Sequence, residues 1–425
     1  MDFSGSVRES DLVEGLDISL FKLSGIWGIL NHYRDHRERS WTLYSFIALS
    51  FVSLFSFVLF QVYNIFFISF DVRVVSLLIL NPLTTIQSLT KLAVLFISIE
   101  KQAALLNLFR RDFLPSITRE KQERASDIYR YLSKQSNYFC FLATFANTLC
   151  VMFWNVLPII RSDAVENLLN VKLKADGEPN KILGGWYPIP YGESPWYEAV
   201  YVYEFIACCW CGFIISFYEI LLISLVMMLG THIRVLGFHI ARLTEDTRAN
   251  PHGWVDLGGR EASPVGDPGI SSYQLLLLYI KDHQMLMKVG DEFRKMYNHL
   301  ITMQLGLGLL IMTISVFHFI FVEKNFFMTF KFLVYLTYQV TEIVLYCYCG
   351  TFLETASSDV VFAIYNTDWY RLDKKFRCSS QMLMIRAQTP LSLIAVRLYP
   401  VNSVTLLSMM QFTYSMAAFL CRLTN

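Results

Sequence analysis

A chain of 425 residues that is 54% hydrophobic and only 17% charged, with a mean hydropathy of +0.40, is too apolar for an ordinary soluble fold, in which about 25% of residues are charged. Its formal net charge of +1 argues against a nucleic-acid binder or a polybasic surface protein. Its nine cysteines fall almost entirely inside apolar runs, which argues against a disulfide framework and reads them as small buried side chains.

Residues 1–40 are a polar lead with no apolar signal core, so no cleaved leader is expected and the segment is predicted to be cytoplasmic. The first predicted span covers 41–67 and the second 74–99, where Asn81-Pro82 is expected to kink or break the helix. Residues 100–137 are charged and read as helical extensions, and the third span covers 138–160. A Gly/Pro/Trp-rich loop follows at 161–196. The fourth apolar run, 197–229, would be roughly 50 Å long as a helix and should project beyond a bilayer whose hydrocarbon core is about 30 Å thick. Residues 243–272 carry turn formers and charges and read as a loop. The stretch 272–321 has no proline and is predicted to be one long helix. The sixth span covers 326–353, and 354–390 is predicted to be an amphipathic cytoplasmic anchor helix that closes at Pro390.

The last segment, 391–425, holds the seventh span. Pro400 is expected in its first helical turn, where the missing N–H costs nothing. Asn402, Ser403, Thr405, Ser408, Gln411, Thr413 and Ser415 lie along this uncharged rod. Lipid cannot hydrogen-bond these groups, so they face either neighbouring helices or water. The expected fold is therefore an all-α membrane protein with seven transmembrane helices, six of them and their connections within 41–353. Connecting segments on one side hold 26 Lys and Arg, those on the other side 7. By the positive-inside rule this puts the N-terminus in the cytoplasm and the C-terminus outside.

Glu204, Glu219 and Glu342 lie within predicted spans and are ion-path residues, partners of a neighbouring helix, or groups at the edges of the membrane. The histidines are scattered, no nucleophile stands beside a base, and no phosphate loop occurs, so neither an enzyme nor a resident cofactor or metal is expected.

Several stretches resemble the insect odorant receptor family. They are Tyr346-Cys347-Tyr348-Cys349-Gly350, Ala363-Ile364-Tyr365-Asn366-Thr367-Asp368-Trp369-Tyr370, Met384-Ile385-Arg386-Ala387-Gln388-Thr389-Pro390-Leu391 and Thr413-Tyr414-Ser415. Trp186-Tyr187-Pro188-Ile189-Pro190 and Ser194-Pro195-Trp196-Tyr197 match that family's segment before the fourth span. The resemblance implies an odorant-gated nonselective cation channel subunit in the plasma membrane of a sensory neuron dendrite. Its implied partners are a small hydrophobic odorant or pheromone, membrane lipid and a coreceptor subunit in a hetero-tetramer, with no nucleic acid. Trp369 and Tyr370 would pack in the anchor region. A gustatory-type receptor channel is the alternative; a membrane transporter is further off because no inverted repeat is visible.

The implied ligand site lies among spans two to six. Its residues are Thr84, then Asn147, Cys150 and Trp154 on one face of span three, Phe205 and Cys209 in span four, and Tyr335 and Tyr338 in span six. Aligned on Thr413-Tyr414-Ser415, the implied pore positions are Thr413, Ala417 and Cys421, continued inward by Leu406 and Met410. The family has bulkier residues near Ala417 and Cys421, which implies a looser seal in this subunit. Thr405, Ser408, Gln411 and Ser415 form a nearly opposite stripe, and either stripe can face water or sister helices.

Overall fold

The structure is a computed structural model that describes residues 41–67, 72–108, 114, 116–117, 119–160, 186–189, 194–244, 271–321, 326–396 and 399–424. The expectations for 1–40, for most of the 161–196 loop and for 245–270 lie outside the described residues. The helices are α1 Trp41–Phe67, α2 Val72–Leu108, α3 Arg119–Arg124, α4 Ser126–Ile160, α5 Trp196–Ala241, α6 Ser272–Phe321, α7 Phe326–Tyr365, α8 Lys374–Ala387 and α9 Ser403–Thr424. Six of them, α1, α2, α4, α5, α6 and α7, are long and apolar enough to cross a membrane.

α5 is the central post. From Ile214 to Ile240 nearly every side chain is buried, on all sides of the helix, which is why its apolar residues show no one-sided pattern. α2, α4, α6 and α7 pack around it. At 46, 50 and 40 residues, α5, α6 and α7 reach roughly 60–75 Å, twice the bilayer core. The expected projection of the fourth helix is therefore larger than its apolar run suggested, because the buried stretch continues through His232 and His239 inside protein.

Three local expectations change. α2 passes through Pro82 without a break. The Thr84 and Thr85 hydroxyls donate to the Asn81 carbonyl at 2.8 and 3.0 Å, and the N–H that Pro82 withholds from the Leu78 carbonyl is a loss that membrane helices tolerate. The anchor segment is not one helix. Residues up to Tyr365 continue α7, Trp369–Arg371 form a 3₁₀ turn, and α8 follows. α8 buries Phe376, Ser380, Leu383 and Ala387, one stripe at helical spacing. Trp369 packs at the edge of the main core, whereas Tyr370 is exposed, so only Trp369 has the packing role expected of both.

Pro400 does not open the last helix. Ile394–Ala395 (β1) and Tyr399–Pro400 (β2) form a small antiparallel ladder, with Ile394 opposite Pro400. A proline fits this edge position because its missing N–H is not called upon there. Asn402 caps α9: its Oδ1 accepts from the Val404 and Thr405 N–H groups at 3.1 and 3.2 Å. The Asn402 amide donates to Glu354 of α7 at 3.2 Å, and the Ser403 N–H donates to the Thr351 hydroxyl at 3.0 Å. The start of α9 is thus fixed to α7. Asn402→Ala is expected to cost about 1 kcal/mol of folding stability through the lost cap. This is checked as a drop of a few degrees in the unfolding midpoint of the detergent-purified chain; an unchanged midpoint would mean that α9 docks without its cap.

Candidate ligand pocket and pore helix

Near the end of the bundle that carries Trp186, five helices turn aromatic and aliphatic side chains toward one another. Leu80 of α2, Cys150 and Trp154 of α4, Ile215 of α5, Ile311 of α6, and Phe332, Tyr335 and Tyr338 of α7 form one buried cluster. Trp154 meets Tyr335 edge-to-face at 5.7 Å, and His318 of α6 stacks on Phe332 at 4.6 Å. Such rings supply dispersion and shape rather than charge. The Tyr338 hydroxyl is buried here with no hydrogen-bond partner among the described residues.

Of the eight predicted ligand residues, Cys150, Trp154, Tyr335 and Tyr338 come together in this cluster. Thr84 is half-buried on the same helix as Leu80, its hydroxyl turned back to the Asn81 carbonyl. Asn147 is buried at the α4–α5 contact, where its amide donates to the Gly212 carbonyl and the Ser216 hydroxyl, both at 2.6 Å. Its N–H groups are committed to joining helices. Cys209 lies beside Asn155, whose amide reaches its sulfur at 3.8 Å. Phe205 is 42% exposed on the outer surface of α5, between exposed Val202 and Ile206, and is not part of the cluster. The face of α5 that reaches the cluster is instead that of Cys208 and Ile215. Sequence reasoning also missed Phe332 and His318; Phe332 lies one turn before Tyr335, on the same face, and spacing alone marks it.

Just beneath the cluster stands a buried ion triad. Lys91 Nζ of α2 lies 2.6 Å from Glu219 Oε1 of α5 and 2.6 Å from Glu342 Oε1 of α7. Gln339 donates to Glu342 Oε2 at 2.9 Å, and the Tyr346 hydroxyl to Glu219 Oε1 at 3.1 Å. Two of the three intramembrane glutamates are therefore tied to a lysine. The third, Glu204, accepts from the Tyr187 hydroxyl at 3.1 Å. Tyr187 meets Phe60 at a tilt and Trp186 meets Tyr63 edge-on, both rings of α1, so this short piece of the loop is held against α1 and α5.

A cavity of about 720 Å³ lies elsewhere, between α4, α5 and α7. Asp127, Arg234 and Asp359 line it, together with Ile233, Gly237 and Val360. A cleft open to solvent and lined by charge suits a small hydrophobic ligand less well than the enclosed aromatic cluster.

α9 packs on α6 and α7 through Met409, Thr413 and Ala417, all buried, with Leu406 and Met410 half-buried beside them. Thr413 and Ala417 therefore face their own subunit, contrary to the expectation that they line a pore, because they fill the contact with neighbouring helices. The side chain of Cys421 lies outside the described residues. Ser408, Gln411 and Ser415 are exposed on the opposite side, flanked by exposed Leu407, Phe412, Tyr414 and Phe419.

Comparison with known proteins places this arrangement. A family model described as 7tm Odorant receptor matches residues 72–414. Odorant receptor 33b of Drosophila melanogaster is 25% identical over 170 residues, 39% of this chain; the match spans 38% of that relative's length. Among solved structures, the insect olfactory receptor OR5 of Machilis hrabei in complex with eugenol superposes with a TM-score of 0.77 at 17% identity, covering 96% of this chain and 99% of that one. The same receptor without the ligand named gives 0.76 at 17% identity, covering 95% and 98%. The fold is thus the seven-helix, all-α membrane fold of these receptors.

Proposed function

Since this chain belongs to the 7tm odorant receptor family, we propose that it is an odorant-binding subunit of a ligand-gated, nonselective cation channel. Its N-terminus lies in the cytoplasm and its C-terminus outside. It works in the plasma membrane of a sensory dendrite, as a hetero-tetramer with a coreceptor subunit. A small hydrophobic volatile settles in the aromatic cluster around Trp154, Tyr335 and Tyr338, and α9 borders the ion path.

One observation carries the channel reading: α9 leaves Ser408, Gln411 and Ser415 uncovered in the single subunit. A helix in lipid does not present such a stripe to hydrocarbon. Copies of α9 around a shared axis give the stripe water, while Leu407, Phe412, Tyr414 and Phe419 meet lipid or sister subunits. The proposed path therefore follows the Ser408–Gln411–Ser415 stripe rather than Thr413 and Ala417. The odorant reading draws on the eugenol complex of the Machilis receptor, a small aromatic volatile held in the same fold.

Tyr338→Phe tests the pocket without disturbing the fold, because the hydroxyl it removes makes no hydrogen bond among the described residues. Surface amount should stay at the wild-type level. Sensitivity to hydrogen-bonding odorants should fall about five- to tenfold, the worth of one hydrogen bond of about 1 kcal/mol. Dose–response currents in cells expressing the chain with a coreceptor measure this. A fall in surface amount with unchanged sensitivity would make Tyr338 a packing residue only.

A further inference from the structure

Below the aromatic cluster the bundle interior becomes polar, and much of that polarity is unused. Tyr338 belongs to the cluster and Glu342 to the triad, four residues further along one face of α7. Ile215 and Glu219 stand in the same relation on α5. Gln87 is one turn from Lys91 on the same face of α2, and both are buried. The triad is therefore the floor of the aromatic cluster on three of its helices. On α6, Gly308 leaves room for the amide of Gln339: a Cβ there would come within 3.0 Å of its Nε2.

Around this floor, buried polar atoms have no hydrogen-bond partner among the described residues. They are both ends of the Gln87 amide, Glu219 Oε2, Gln304 Nε2, Gln339 Oε1 and the Tyr338 hydroxyl. Folded proteins leave very few such groups unpaired, and a concentration of them marks a place that takes water or a ligand. The set is mixed. Glu219 Oε2 and Gln339 Oε1 accept, Gln304 Nε2 donates, and the Gln87 amide and Tyr338 hydroxyl do both. A hydroxyl is the small group that donates and accepts at once. A carboxylate is disfavoured, because Glu219 and Glu342 already place two carboxyls against one ammonium.

We propose that this polar floor is a subsite that reads a hydroxyl group on the ligand, so that the chain selects small aromatic or aliphatic alcohols and phenols over hydrocarbons and carboxylic acids of the same skeleton. The inference rests on the aromatic cluster being the odorant pocket. The skeleton lies among Trp154, Phe332 and Tyr335. The hydroxyl points toward Tyr338 and Glu219, in place of water.

The test uses the full chain in lipid nanodiscs and four probes with one skeleton: 2-phenylethanol, phenylacetaldehyde, phenylacetic acid and ethylbenzene. Affinity is read from the concentration dependence of the unfolding midpoint. The alcohol should bind at least about tenfold more tightly than ethylbenzene, because a polar site filled by an apolar group leaves its own atoms unpaired. The acid should bind most weakly. In Gln87→Leu with Tyr338→Phe, the alcohol-to-hydrocarbon ratio should fall toward one, and in Glu219→Gln the acid should gain. If Glu219→Gln does not fold, the first variant still decides. Equal binding of all four probes, or an unchanged ratio in the double variant, overturns the subsite and leaves the aromatic pocket standing. No shift with any probe overturns the pocket, and the subsite with it.

Discussion

Lys91→Met is expected to remove most of the folded chain from the membrane. Lys91 is 1% exposed and lies 2.6 Å from two carboxylates on two other helices. Without the ammonium, Glu219 and Glu342 stay buried without their counter-ion, and breaking such a group by removing one partner costs about 3–5 kcal/mol. That is a large part of the 5–15 kcal/mol by which a typical protein is stable. Surface labelling and size-exclusion profiles of detergent extracts measure the loss. The triple variant Lys91→Met, Glu219→Gln, Glu342→Gln removes all three charges at similar volume and should recover much of the folded amount, because a buried ion cluster adds little net stability over a neutral replacement. Normal folding of Lys91→Met alone would contradict the role given to the triad in joining α2, α5 and α7.

Gly350→Ala is expected to separate α9 from the bundle. A Cβ on Gly350 would overlap the Val401 carbonyl oxygen, a backbone atom that no rotamer change can move aside. This contact lies beside the Ser403–Thr351 and Asn402–Glu354 hydrogen bonds, so the strain falls on the junction from which α9 starts. Overpacking of this kind costs about 1–3 kcal/mol. Because α9 is the proposed pore helix, odorant-evoked current should fall more than surface amount does. Wild-type current from a fully expressed Gly350→Ala chain would show that α9 does not need this seat.

Local signals in the sequence went far for single helices and failed where partners are distant. The bounds of α1, and α6 as one unbroken helix, follow from apolar runs and the absence of proline. Of the kink or break expected at Pro82, the break did not occur: the cost there is one missing N–H to the Leu78 carbonyl, which a packed membrane helix tolerates. Pro400 was assigned to a helix because the hairpin that holds it needs Ile394, outside the local window. Phe205 was placed in the pocket by the family resemblance, and the apolar run of α5 does not say by its periodicity which face meets α4 and α7. The triad pairs residues 128 and 251 positions apart. That intramembrane glutamates pair with a neighbouring helix was one of the readings open in the sequence; that Lys91 is the partner, and that it joins α2, α5 and α7, was not legible there. In α9 the two opposite stripes were both visible, and packing on α6 and α7 separates them.

The central claim is that the Ser408–Gln411–Ser415 face of α9 borders the ion path. It is tested most directly by single cysteine substitutions at Ser408, Gln411, Ser415, Thr413 and Ala417 in a Cys421→Ser background, with a charged, water-soluble thiol reagent applied during odorant-evoked currents. The account predicts that reagent alters the current at Ser408, Gln411 and Ser415 and leaves Thr413 and Ala417 untouched. Modification at Thr413 and Ala417 with silence at the other three would contradict it.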